Sequence, residues 1–146
     1  MVLAAIWRRG KKQAPIRSEV GLDQQALEVL IGIHPTFKDN VLKFSLPRKD
    51  VRVTVDGFDI IPFMGLTSWV AFRKGTEHAT VMGDLVLLED EVGPAVASAV
   101  DANLYVTALH NHFIRQEPSV LFMHVEATVS LTPLPRYGEA GPSPRQ

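Results

Sequence analysis

The sequence predicts an α+β fold, a single compact domain with a mainly antiparallel β-sheet and two short helices. Three observations lead there. Stretches rich in Val, Ile, Phe and Trp, broken by Pro and by an Asp-Gly pair, recur between positions 40 and 130, as short strands do. Apolar residues at a spacing of three or four mark only two helices, one before these stretches and one among them. The chain has 146 residues, 46 % of them apolar and 21 % charged, which is the size and composition of one ordinary globular domain with its own core.

Taken in order, residues 1–20 are basic and polar without a clear period and read as a flexible N-terminal arm. "GLDQQALEVLIG" carries Leu22, Ala26, Leu27 and Leu30 at helical spacing, with Asp23 placed to cap the start and Gly32 to end the helix. Strands follow in "VLKFSL", "VRVTVDGFDII" and "LTSWVAF", and Asp56-Gly57 predicts a tight hairpin inside the second. "ATVMGDLVLLEDEV" supplies a further strand. In "EVGPAVASAVDAN", Val92, Val96 and Val100 recur every four residues, Pro94 suits a first helical turn and Asn103 a left-handed stop, which predicts the second helix. "LYVTALHNH" and "SVLFMHVEATVSL" close the domain as two strands, giving a folded unit over 21–130 and a flexible Pro- and Gly-rich tail over 131–146.

Composition narrows the function. Fifteen Lys and Arg against sixteen Asp and Glu leave a net charge of -1, so there is no basic surface to hold a phosphate backbone and nucleic acid is not an expected partner. The absence of cysteine removes disulfides, thiolate metal sites and a thiol nucleophile together. No stretch approaches the ~20 apolar residues of a membrane helix. In "MVLAAIWRRGKK" the apolar run precedes the basic cluster, the reverse of a secretory signal, so a cytoplasmic protein is expected, or an exported one if the true start lies upstream. An apolar sheet in so short a chain favours a homodimer.

Positions 108–124 read "ALHNHFIRQEPSVLFMH" and hold three of the five histidines. Strand alternation places Leu104, Val106, Ala108, His110 and His112 on one face. The chain turns back within 113–118, and on the returning strand Val120, Phe122, His124 and Glu126 share a face. Antiparallel pairing would set His124 opposite His110 or His112, with facing Cβ atoms about 4.5–5.5 Å apart. Three converging imidazoles with a fourth position open are the donor set of a catalytic divalent metal, zinc first, with nickel, iron or manganese as alternatives. The competing reading is that these histidines only hydrogen-bond within a half-buried sheet. The letters "HNH" do not indicate a nuclease, since the basic groove is missing.

"LPRKDVRVTVDGFDIIP", "SWVAF", "VMGDLVLLEDEV" and "VTALHNHFIRQEPSVLFMHVEA", in this order, resemble the LppY/LpqO family, bacterial domains of unknown function. The resemblance runs from about residue 22 to 127 and implies a fold rather than a reaction. The family's distinctive polar positions fall on Arg48, Asp50, Asp84, Glu91, His110, Asn111, His112 and His124. Family members usually carry a signal sequence and continue past the last histidine into Gly-rich sequence and a further helix, where this chain has "TVSLTPLPRYGEAGPSPRQ". The final element of the family domain is therefore expected to be missing. The spacing of the three histidines is also similar to that of the zinc site of acetolactate decarboxylases.

The remaining polar candidates each carry two readings. Glu91 is a metal ligand or general base, or a first-turn acid that complements the helix dipole. Glu126 orients an imidazole, or is a solvated strand carboxylate. Arg48 and Asp50 clamp a small polar substrate, or form a surface ion pair. Asp84, after Gly83, reads as a turn residue. His34 and His78 receive no role. The sequence thus points to a domain that binds one divalent metal through His110, His112 and His124, as a hydrolase or lyase acting on a small carbonyl or carboxylate. The alternative is a non-catalytic module that binds a ligand or partner.

Overall fold

The computed structural model describes residues 23–131, so the expected N-terminal arm and almost all of the expected tail lie outside the described residues. The described chain is an α+β domain dominated by antiparallel strands, as expected. Helix α1 (Gln24–Ile31) has the predicted ends: the Asp23 carboxylate accepts the Ala26 N–H at 3.1 Å, and Gly32 closes the helix at φ 75°. Strands β1 (Thr36–Lys38), β2 (Val41–Pro47), β3 (Val53–Val55) and β4 (Phe58–Ile60) follow. A single 3-10 turn at Pro62–Met64 leads into β5 (Thr67–Lys74) and β6 (His78–Leu88). Helix α2 (Glu89–Asp101) then precedes β7 (Tyr105–Asn111), the two-residue β8 (Gln116–Glu117) and β9 (Val120–Ser130).

Six strands form one sheet in the order β1-β2-β5-β6-β9-β7, and β4-β3-β8 form a second, smaller one. The predicted Asp-Gly hairpin joins β3 and β4, with Asp56 at φ 50° and Gly57 at φ 82°, the left-handed pair that a tight two-residue turn requires. The return between β7 and β9 is more than a hairpin loop. Within it β8 pairs with β3, matching Thr54 to Glu117 and Val55 to Gln116, and so ties the small sheet to the large one.

Alternation along β6 and β9 sorts the core into two layers. Leu87, Met123 and Val125 face α2 and pack against its Ala95 and Ala99. Val86, Val120 and Phe122 point to the other side and pack with Val53 and Leu66 under the small sheet. Helix α2 begins at Glu89, two residues before the predicted start, so Pro94 sits inside the helix rather than in its first turn. Asn103 takes the left-handed conformation foreseen for it, at φ 56°. No described helix is long and apolar enough to cross a membrane.

Candidate functional site

Three of the six strands build the site. β6 and β9 pair over eleven residues, from His78 opposite Ser130 to Leu88 opposite Val120, and this register puts Asp84 directly across from His124. On its other side β9 pairs with β7, where Ala108 faces His124 and His110 faces Phe122. The strand pairing is antiparallel as predicted, but the register is offset, so His124 meets His110 on the diagonal rather than head-on. Diagonal partners remain within reach of long side chains. The two Nε2 atoms lie 3.0 Å apart in a hydrogen bond.

The expected run of five residues on one face of β7 does not hold. The ladder shifts between Val106 and Ala108, a bulge that turns Val106 toward the α2 side of the sheet while Ala108 and His110 keep to the other. His112 lies beyond the end of β7. Its ring stacks on Phe113 at 4.7 Å between centroids and stands edge-on to Phe122 at 4.3 Å. His110 and His112 thus both lie against Phe122, while His124 meets His110 and the two are joined by a hydrogen bond. Among the described residues no group of three or more His, Asp or Glu side chains is placed to hold a metal ion.

The proton inventory of this cluster is fixed by its neighbours. His110 Nδ1 sits 3.1 Å from the carbonyl oxygen of Asn111, and a carbonyl only accepts, so Nδ1 donates there and, when the ring is neutral, Nε2 is left as the acceptor. His124 Nε2 must then supply the hydrogen of the imidazole–imidazole bond. Asp84 Oδ1 approaches that same nitrogen to 3.8 Å, too far for a hydrogen bond, and is buried with no other partner. That hydrogen is spent on His110, and Asp84 Oδ1 is left without one. Exposure rises across the cluster, from 18 % for the Asp84 side chain to 42 % for His124, with His110 open to solvent. Asp84 was expected in a turn, whereas it lies inside the longest strands of the sheet. A carboxylate within the apolar run "VMGDLVLL" was the signal for it.

Around the cluster, register supplies the walls. Trp69 faces Asp84 from β5, and Lys43 lies over its indole ring at 4.2 Å. In the next row Glu126 stands between Met82 and Tyr105, exposed on the face that carries His124.

Residues 25–136 match the family described as Domain of Unknown Function (DUF1259). The chain belongs to this family. No curated protein and no solved structure matches it.

In this DUF1259 chain the other predicted site residues form a second constellation. Arg48 is 7 % exposed, and its guanidinium donates to the Val86 carbonyl at 2.7 Å, to both Glu91 carboxylate oxygens at 2.8 and 3.3 Å, and to Asp50 at 3.0 Å. Glu91 also accepts the Leu88 N–H at 2.9 Å, which caps α2. These groups are taken up by one another: Glu91 ties the start of α2 to the end of β2. Burial alone would lower the Arg48 pKa, but the hydrogen bonds and charges of Glu91 and Asp50 outweigh it and raise the value. The hydrogen bond from Arg48 holds Asp50 below the usual carboxylate range, against a smaller upward push from burial.

Two predictions follow from this geometry. Replacing Arg48 with Met should destabilise the protein by about 3–5 kcal/mol in urea denaturation, because it strands Glu91 without its cation. Asp50, with 62 % of its side chain exposed, should matter little: Asp50→Asn should cost under about 1 kcal/mol at neutral pH. A lowered native pKa adds stability that is present above the unfolded carboxylate value, near about 3.9, and lost as pH falls through the native one. The Asp50→Asn and parent denaturation midpoints should therefore converge in acid.

Gly65 has φ 128°, and a Cβ there would fall 3.0 Å from His112 Cε1. Gly65→Ala should cost about 1–3 kcal/mol in thermal unfolding and displace the His112 ring. In NMR spectra the His112 Cε1–H resonance should move while those of His110 and His124 stay near their parent positions.

Proposed function

We propose that the open face over β6, β9 and β7 binds one divalent transition metal at the His110–His124 pair. The observation that carries this reading is the pair of imidazoles whose Nε2 atoms stand 3.0 Å apart, with a buried carboxylate oxygen of Asp84 that lacks a hydrogen bond 3.8 Å from the second. A cation at the pair offsets the charge of that carboxylate. The His110 ring is already oriented for the task, since its Nδ1–H is spent on the Asn111 carbonyl, the arrangement by which metal-binding histidines are commonly held.

The reading extends to a hydrolase or lyase acting on a small carbonyl or carboxylate substrate. A metal bound here would polarise a carbonyl oxygen or lower the pKa of a water. The chain's own part is to orient both imidazoles, to leave the His110 side open for substrate, and to offer Glu126 as proton acceptor from the neighbouring row. Arg48, Asp50 and Glu91 serve this function by fixing β2 to α2 rather than by touching substrate. The four quoted stretches that resemble LppY/LpqO domains span the same strands, and the proposal extends to that family.

Elemental analysis of protein purified without a metal-affinity tag should find about one zinc, nickel, iron or manganese ion per chain. Calorimetric titration of the stripped protein with zinc should give one site, and His110→Ala or His124→Ala should weaken it beyond the roughly 10–100-fold expected for loss of a mere outer partner. His34→Ala and His78→Ala should leave it unchanged. A metal-free protein to which zinc does not bind would refute the reading.

A further inference from the structure

We infer that the outer edge of β7 docks a second copy of this chain, whose own β7 adds to it antiparallel and joins the two large sheets into one. β7 is the last strand of the order β1-β2-β5-β6-β9-β7, and its seven residues compare with three in β1 at the opposite edge. Among the described residues its backbone from Tyr105 to Leu109 makes no hydrogen bond outside the ladder with β9. Proteins ordinarily guard such an edge with charge or proline. β1 carries Lys38, with Asp39 next to it, whereas Tyr-Val-Thr-Ala-Leu-His-Asn has no acid, no lysine or arginine and no proline. Apolar side chains lie open along it instead, Tyr105 at 71 % and Leu109 at 43 % exposure.

The bulge decides the register. Residues opposed on two paired strands must share a face, and the alternation of β7 is interrupted between Val106 and Ala108. From Ala108 to Asn111 it is regular: Ala108 and His110 take the open face, and Leu109, opposite Met123, takes the α2 face. A two-fold axis at Leu109 keeps the pairing within this regular stretch. Leu109 then meets the partner's Leu109, and Ala108 meets the partner's His110, each pair on one face.

A second copy suits this edge better than an unrelated peptide. The stretch carries no fixed charge, so setting it against itself opposes no like charges. Leu109, which α2 leaves partly open, is covered by its own counterpart across the axis. The same pairing sets the partner's His110 beside Ala108, which itself faces His124, so the two histidine pairs come onto one continuous sheet face. The pairing needs no metal. Its short length makes the dimer a weak, concentration-dependent one.

Sedimentation velocity of the full chain, stripped of metal, should show a monomer–dimer equilibrium that shifts with concentration. Leu109→Lys and Leu109→Glu each oppose like charges across the axis, and each alone should sediment as a monomer with the circular dichroism of the parent. Mixed in equal amounts, the two should dimerise again, because Lys then faces Glu. The chain has no cysteine, so a single introduced thiol reads the contact even if the charged variants unfold. Facing Cα atoms of an antiparallel pair stand about 4.5–5.5 Å apart, within disulfide reach, so Leu109→Cys should oxidise to a covalent dimer at least about tenfold faster than Phe37→Cys on β1. A parent that stays monomeric at every concentration, as when a different occupant covers the edge, would overturn the inference. So would a dimer that survives Leu109→Lys, a mixture of folded charge variants that stays monomeric, or equal oxidation of the two cysteine variants.

Discussion

The pairing of β6 with β9 is the constraint on which the rest of this protein depends. Eleven consecutive residues of each strand are matched without a break. Because strand side chains alternate, this one register decides which residues go to the α2 layer and which go under the small sheet. A slip of one residue would move Leu87 and Met123 out of one core and Val86 and Phe122 out of the other. The same register sets Asp84 against His124. Site and core therefore share one determinant, and the site needs no loop to assemble it.

Two buried charges in this domain are handled in contrasting ways. Arg48 is almost fully covered, yet every nitrogen of its guanidinium meets an acceptor on Val86, Glu91 or Asp50. Such a group is quiet, and its contribution is to hold two elements together. Asp84 is partly covered, and its buried Oδ1 meets only a nitrogen at 3.8 Å that is already bonded elsewhere. An unsatisfied polar atom beside an imidazole, unlike a satisfied ion pair, still has hydrogen-bonding capacity to give.

Much of the fold was legible in the sequence. The capped first helix, the Asp-Gly hairpin, the strand stretches and the antiparallel return through the histidines all follow from short-range chemistry that a few residues specify. The errors lie where that chemistry is overruled by partners far away in sequence. The bulge in β7 belongs to its pairing with β9 and cannot be read from "LYVTALHNH", so alternation alone puts Val106 on the wrong face and His124 in the wrong register. Asp84 looked like a turn residue because it follows Gly83, whereas neighbours on β5 and β9 hold it in a strand. Arg48 and Glu91 are 43 positions apart, and only the fold shows that they satisfy each other. Of the three predicted ligands, His110 and His124 are brought together, and His112 is drawn off by aromatic rings that alternation alone does not reveal.

Strand register brings His110 Nε2 and His124 Nε2 to within 3.0 Å of each other, the pair proposed to hold the metal. Crystals of the protein grown with zinc and measured on both sides of its absorption edge test this directly. One strong anomalous peak is expected about 2.0–2.1 Å from both Nε2 atoms. A peak at His34 or His78 instead, or none while the two imidazoles remain bonded only to each other, would contradict it.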